Sequence, residues 1–259
     1  MKISLVFRWV GCYNSARIFF FVFLAIKLVG EISKFQLNET ELKTSFVKKC
    51  KAEDTKCAKE SAQAFLPVFA DGIPDLGVKA LDPVTLKRTD ASSPNLNLIV
   101  SDYTITGLRN CLVNKVKYDK SQSKIFLNLQ CSGKLEGSYD MKGQLLILRL
   151  EGKGPVHVTL SEDTQNLKSI DTTKKNGNKY WNIKNWSYTY ELKDKSKVVF
   201  ENLFGGNEVL GKAAKEVIDE SGNEIIKEIG TPIINDCMKA VVEDINHFFH
   251  LVPMSDLVE

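Results

Sequence analysis

Histidine is scarce: His157, His247 and His250 are the only three in 259 residues. No CxxC pair accompanies them, so no donor set for a structural or catalytic zinc can be assembled. GxSxG, a P-loop, a GxGxxG turn after a strand and HExxH are also missing. That removes the common hydrolase, nucleotide-binding and metalloprotease signatures. There is no short repeat and no low-complexity tract. No apolar run reaches the roughly 20 residues that a membrane-spanning helix needs. Charge of one sign is lacking too. Lysine and arginine number 35 against 32 acids, but residues 1–30 hold Lys2, Arg8, Arg17 and Lys27 and no acid. The remainder carries 31 bases and 32 acids, a net of −1, so no nucleic-acid partner is implied. What remains is ordinary for a folded chain: 43% hydrophobic, 26% charged, and enough length to bury a core. A non-enzymatic protein without cofactor or metal is expected.

Ile18 to Val29 is an apolar run of about a dozen residues, preceded by Arg8 and Arg17 and followed by Gly30 and Ser33. Its length fits a secretory h-region. We expect residues 1–32 to be a signal peptide, cut near Gly30–Ser33, and 33–259 to form one secreted domain. The long positive segment before the run also allows an internal start or an uncleaved anchor. Secretion favours disulfides. Cys12 leaves with the leader. Cys50 and Cys57 are close in sequence and flank Asp54, a good helix N-cap; they are expected to pair. A hairpin turning at Ser121 sets Cys111 opposite Cys131, Val113 opposite Leu129 and Val116 opposite Phe126. That register allows a second bridge, although it also opposes Lys115 and Leu127; the alternative is two free thiols on separate strands. Cys237 is then odd, expected buried and free. Sequons at Asn38 and Asn185 fit a glycoprotein.

Residues 39–66 look helical in two pieces, the second stopped by Pro67 near Leu66. DGIPDLG (71–77) is turn chemistry, and a short strand follows at Pro83 to Lys87. From Asn95 to Phe200 the segments NLNLIVSDYTITGL, KIFLNLQCSGKLEGSY, QLLILRLEGKG, PVHVTL, NWSYTYEL and KVVFENL are rich in β-branched and aromatic residues. They describe an antiparallel meander of long strands, with Gly152-Lys153-Gly154 as a strand-end turn. Trp186, Tyr188 and Tyr190 alternate on one face. From Asn207 to His250 apolar residues recur every three or four positions, one stripe on a helix of about 65 Å. Gly222 and Gly230-Thr-Pro232 should kink or break it. His247 and His250 near its end suit a helix C-terminus. A helix this long needs an extended cover, and only the sheet offers one.

Two nearby cysteines, then AFLPVFADGIPDLGVKALDPVTL, long strands, FENLFGGNEVLGKAAKEVIDESGNEIIKEIG and a closing LVPMSDLVE resemble the insect takeout and juvenile-hormone-binding-protein family. The resemblance spans nearly all of the mature chain. It implies an α+β fold in which a strongly curved antiparallel sheet wraps a long C-terminal helix, with short N-terminal helices. It also implies a hydrophobic tunnel and a monomeric, non-catalytic carrier secreted into haemolymph or sensory fluid. The N-terminal family bridge falls on Cys50 and Cys57. Hormone carriers of the family have a second bridge reaching the C-terminal helix; no cysteine between Cys131 and Cys237 can supply it, which makes the chain more takeout-like.

A carrier needs an apolar cavity with few polar groups. Candidate wall residues are Phe65 and Phe69, Leu98 and Val100, Trp186, Tyr188 and Tyr190, then Ile234, Met238, Val241, Val242, Ile245 and Phe249 on the stripe. A tyrosine hydroxyl can orient a carbonyl or epoxide while its ring lines the wall. The expected partner is a small elongated hydrophobic molecule, a juvenile-hormone-like terpenoid or fatty acid, with membrane contact at most transient. The alternative is a membrane-docking lipid-transfer or lipid-sensing protein of the same architecture.

Overall fold

The computed structural model describes residues 47–119, 121, 124–168, 171–175 and 177–259. The expected signal peptide, Asn38 and most of the first helical piece lie outside these residues; the end of that piece, Val47–Cys50, is not helical. Helix α1 (Thr55–Asp71) is capped by Asp54, which accepts from Cys57 N at 2.9 Å. It runs through Pro67 to Asp71 rather than stopping at Leu66. Aromatic packing of Phe65 and Phe69 on Phe248, with centroids 5.1 and 6.2 Å apart, holds the turn that the proline weakens. The DGIPDLG stretch is indeed a turn, with Gly77 in the left-handed region at φ 65°.

Nine strands follow among the described residues: β1 (Val84–Asp90), β2 (Leu96–Thr106), β3 (Leu112–Asp119), β4 (Lys124–Leu145), β5 (Leu148–Lys168), β6 (Asp171–Lys175), β7 (Asn178–Asn182), β8 (Ser187–Leu192) and β9 (Lys197–Phe200). Seven form one antiparallel sheet in the order β1-β2-β4-β5-β8, with β3 also on β4 and β9 also on β5; β6 and β7 make a separate hairpin. The ribbon of β4 and β5, 22 and 21 residues long, is the backbone of the sheet. Each half of β4 has its own outer neighbour: β3 along 124–130, β2 along 134–143. β5 likewise pairs with β9 at 156–159 and with β8 at 163–168.

Two sequence expectations change here. QLLILRL is not one strand: β4 ends at Leu145, Leu146-Ile147 turn, and β5 starts at Leu148. Gly152 and Gly154 are not a strand end but lie inside β5, where a Cβ would stand 3.0 Å from Leu203 Cα and 2.8 Å from Glu201 O. The glycines let the chain after β9 press onto the strand. The β3–β4 hairpin places Val113 opposite Leu129 as expected, then a bulge shifts Lys115 to Asn128 and Val116 to Leu127. The bulge removes the lysine–leucine opposition. Both disulfides form: Cys50–Cys57 and Cys111–Cys131.

The C-terminal stripe is two helices, α2 (Glu208–Glu220) and α3 (Gly222–Leu251), then a short α4 (Met254–Leu257). The break falls before Gly222, whose Cβ would sit 2.1 Å from Ser196 O. Gly230 and Pro232 remain inside α3. Residues α3 contributes to one core, Ile225, Ile226 and Ile229, pack with β2, β4, β5, β9 and α2. Those it gives to the other, Val242 and Phe248, pack with α1, β1, β7 and α4. Each half of the helix thus packs into its own apolar cluster. At its middle Thr89 on β1 donates to Asp236 at 2.5 Å, and Thr89 also shares a 2.6 Å hydrogen bond with the buried Tyr103 hydroxyl.

Candidate functional site: two apolar cavities along the long helix

Within each core the packing against α3 is incomplete. One cavity of about 90 Å³ is bounded by Leu98 and Val100 of β2, Leu135 of β4, Val156 and Val158 of β5, Phe200 of β9, and Ile226, Ile229 and Ile233 of α3. A second of about 170 Å³ is bounded by Leu66 and Phe69 of α1, Leu81, Val84, Leu127 and Leu129, and Met238, Val241 and Ile245 of α3. Ile105, Leu160 and Ile234 belong to both walls. The helix face from Ile226 to Ile245 therefore meets free apolar space over about 30 Å. Apolar cavities of about 150 Å³ stay dry and take up a benzene-sized guest. The larger of the two cavities here alone exceeds that volume.

Of the residues anticipated as a wall, Phe69, Leu98, Val100, Ile234, Met238, Val241 and Ile245 surround these cavities. The others lie elsewhere. Phe65 and Phe249 pack in the second core, with Phe249 against Trp181 at 5.2 Å, and Val242 is buried there. Trp186, Tyr188 and Tyr190 form a stacked ladder at 6.1 and 6.4 Å, and the Tyr188 hydroxyl donates to Thr231 O at 3.5 Å across α3. Burial raises the Tyr188 pKa. Strand alternation identifies one face; it does not say whether that face meets a cavity or the side of a helix.

Several wall residues were not anticipated. Leu127 and Leu129, and Val156, Val158 and Leu160, alternate along β4 and β5, so period two was the available signal. Gly230 lines the smaller cavity. A Cβ there would meet Ile226 Cγ2 at 3.2 Å, so glycine keeps that wall thin, at a helix cost of about 1 kcal/mol. Cys237 is free and only half-buried, because part of its surface faces the larger cavity. Burial pushes its thiol up to about 11, which keeps it protonated at neutral pH. Cys111 and Cys131 close the same wall. Among the described residues no cluster of His, Cys, Asp and Glu could hold a metal ion, and no helix is long and apolar enough to cross a membrane.

A curved antiparallel sheet packed on a long C-terminal helix is the takeout architecture. The crystal structure of Epiphyas postvittana Takeout 1 matches with a TM-score of 0.80 and 26% identity, over 82% of this chain and 100% of that one. The haemolymph juvenile hormone binding protein family model matches residues 20–259, and the chain belongs to that family. The circadian clock-controlled protein daywake of Drosophila melanogaster is 25% identical over 227 residues, 82% of this chain and 87% of the relative. The juvenile hormone-binding protein of Manduca sexta is 26% identical over 84 residues, 31% of this chain and 37% of the relative. A putative β-carotene-binding protein of Schistocerca gregaria is 26% identical over 104 residues, 39% and 42% of the two chains.

Proposed function

We propose that this protein is a secreted, monomeric, non-catalytic carrier that holds one elongated hydrophobic molecule in the space along α3. The observation that carries the reading is the apolar face from Ile226 to Ile245, continuous across two cavities that share Ile105, Leu160 and Ile234. A terpenoid hormone, a fatty acid or a similar lipid suits such walls. The relatives named for juvenile hormone and β-carotene support that ligand class. Two disulfides and a haemolymph family support an extracellular location. Asn185 is exposed in the bend before β8, where a glycan can project into water.

The mechanism is passive. A 15-carbon chain gains on the order of 12 kcal/mol gross on leaving water. Association costs several kcal/mol of that, and the remainder corresponds to roughly micromolar to nanomolar affinity. Cargo is released when an end of the tunnel opens. Native mass spectrometry of the secreted protein, with organic extraction, tests the reading. A co-purified lipid-like mass is expected. A protein that carries none and binds no apolar fluorescent probe at micromolar concentration refutes it.

A further inference from the structure

The end of the protein that holds the β4–β5 turn exposes aliphatic side chains where turn chemistry favours polar ones. Two-residue hairpin turns prefer asparagine, aspartate and glycine, which tolerate positive φ and face water. Here the turn is Leu146-Ile147, with Leu146 at φ 52° and Ile147 82% exposed. Leu146 and Phe204 both pack on the core cluster that closes this end. Three residues after Phe204 the chain enters α2, whose first turn exposes Val209 by 80% and Leu210 by 51%. Beside the hairpin lies an open groove of about 540 Å³, whose walls include Lys142, Arg149 and the Phe204 ring. Lys142 reaches Glu151 at 3.4 Å, while Arg149 has no ion-pair partner among the described residues. Three acids stand at this end: Glu151 in the groove wall is paired with Lys142, Glu208 stands beside Val209, and Glu228 accepts the Leu146 N–H at 3.3 Å, so Arg149 is the groove's unbalanced charge.

We propose that this end docks on phospholipid bilayers. Ile147, Val209 and Leu210 enter the acyl boundary, and Arg149 binds a headgroup phosphate in the groove. The pattern is the one interfacial proteins use, apolar tips with cations at headgroup level. A guanidinium suits the two oxygens of a phosphodiester. The chain without its first 30 residues is nearly neutral, so attraction is local rather than long-range. The contact is comparable to a single acyl anchor: weak and reversible. It does not depend on the cavities being filled.

Flotation of the full secreted chain with vesicles of phosphatidylcholine, with and without phosphatidylglycerol, tests the proposal. Wild type is expected to float with both and better with the anionic lipid. Ile147→Asn and Val209→Gln each lower partitioning about tenfold. Arg149→Gln weakens binding to both vesicles, and more strongly to those with phosphatidylglycerol, so the preference narrows. Leu112→Gln, at an exposed leucine of β3 that lines neither cavity, changes nothing. Apolar-probe binding, measured on every variant, stays at the wild-type level, so failure of docking and failure of cargo binding are read separately. Wild type that floats with neither vesicle overturns the proposal, as does an Ile147→Asn/Val209→Gln double variant that floats like wild type. Sedimentation showing a dimer that the same two substitutions dissolve also overturns it, because the tip then meets a second copy.

Discussion

Ile234 stands in the wall of both cavities, so enlarging it separates them. In Ile234→Trp the indole occupies the junction, and a cargo molecule can use only the larger space. The smaller cavity holds about 90 Å³ beside about 170 Å³, roughly a third of the room. A third of a 15-carbon chain is about five carbons, worth about 4 kcal/mol at 0.8 kcal/mol each. Affinity for a long ligand is therefore expected to fall about a thousandfold. A ligand short enough for the larger cavity should lose little. Stability should change modestly, because the new ring enters empty volume; overpacking elsewhere costs about 1–3 kcal/mol. The assay is a fluorescence titration with short- and long-chain apolar ligands, with thermal unfolding as the folding control. If the folded variant binds the long ligand within threefold of wild type, or loses both ligands equally, the cavities do not act as one site.

Four further outcomes follow from particular contacts. Gly222→Ala forces a Cβ to within 2.1 Å of Ser196 O and should destabilise the protein by about 1–3 kcal/mol; an unchanged midpoint in urea would show that the α2–α3 joint gives way freely. Thr89→Val strands the Tyr103 hydroxyl and Asp236 and is expected to cost about 1–3 kcal/mol or more, whereas Tyr103→Phe should cost less. His157 lies between Glu136 and Glu201, 3.0 Å from the latter, and its pKa is raised, chiefly by the hydrogen bond to Glu136. A raised folded pKa means its contribution is complete below the unfolded value near 6.5 and fades as pH climbs through the folded one; thermal melts of His157→Gln should lack that decline. The Cys237 thiol, pushed up to about 11, should resist alkylation at neutral pH until the protein unfolds, and a bound apolar ligand should slow its labelling further.

Much of this protein is written locally. The three-and-four spacing from Val209 to Phe249 defines a helical stripe, and the β-branched runs from Leu96 to Phe200 define strands, because periodicity is a property of the chain alone. The Cys111–Cys131 bridge was allowed by counting back and forth around Ser121, but the count reaches it only through the bulge between Val113 and Lys115: nearer the turn Phe126 faces Lys117 rather than Val116. Other features depended on residues far apart in sequence. Pro67 does not end α1, because Phe248 holds that helix; α3 starts at Gly222, where only a residue without a Cβ leaves room for Ser196 O. An amphipathic face is the same string of residues whether it meets a side chain or a void. That is why Ile234 and Met238 reached cavity walls while Val242 and Phe249 pack against other side chains of the second core. Sequence determined which surfaces leave water. Only the meeting of sheet and helix decided where they fail to touch, because a void depends on shapes that no single segment contains.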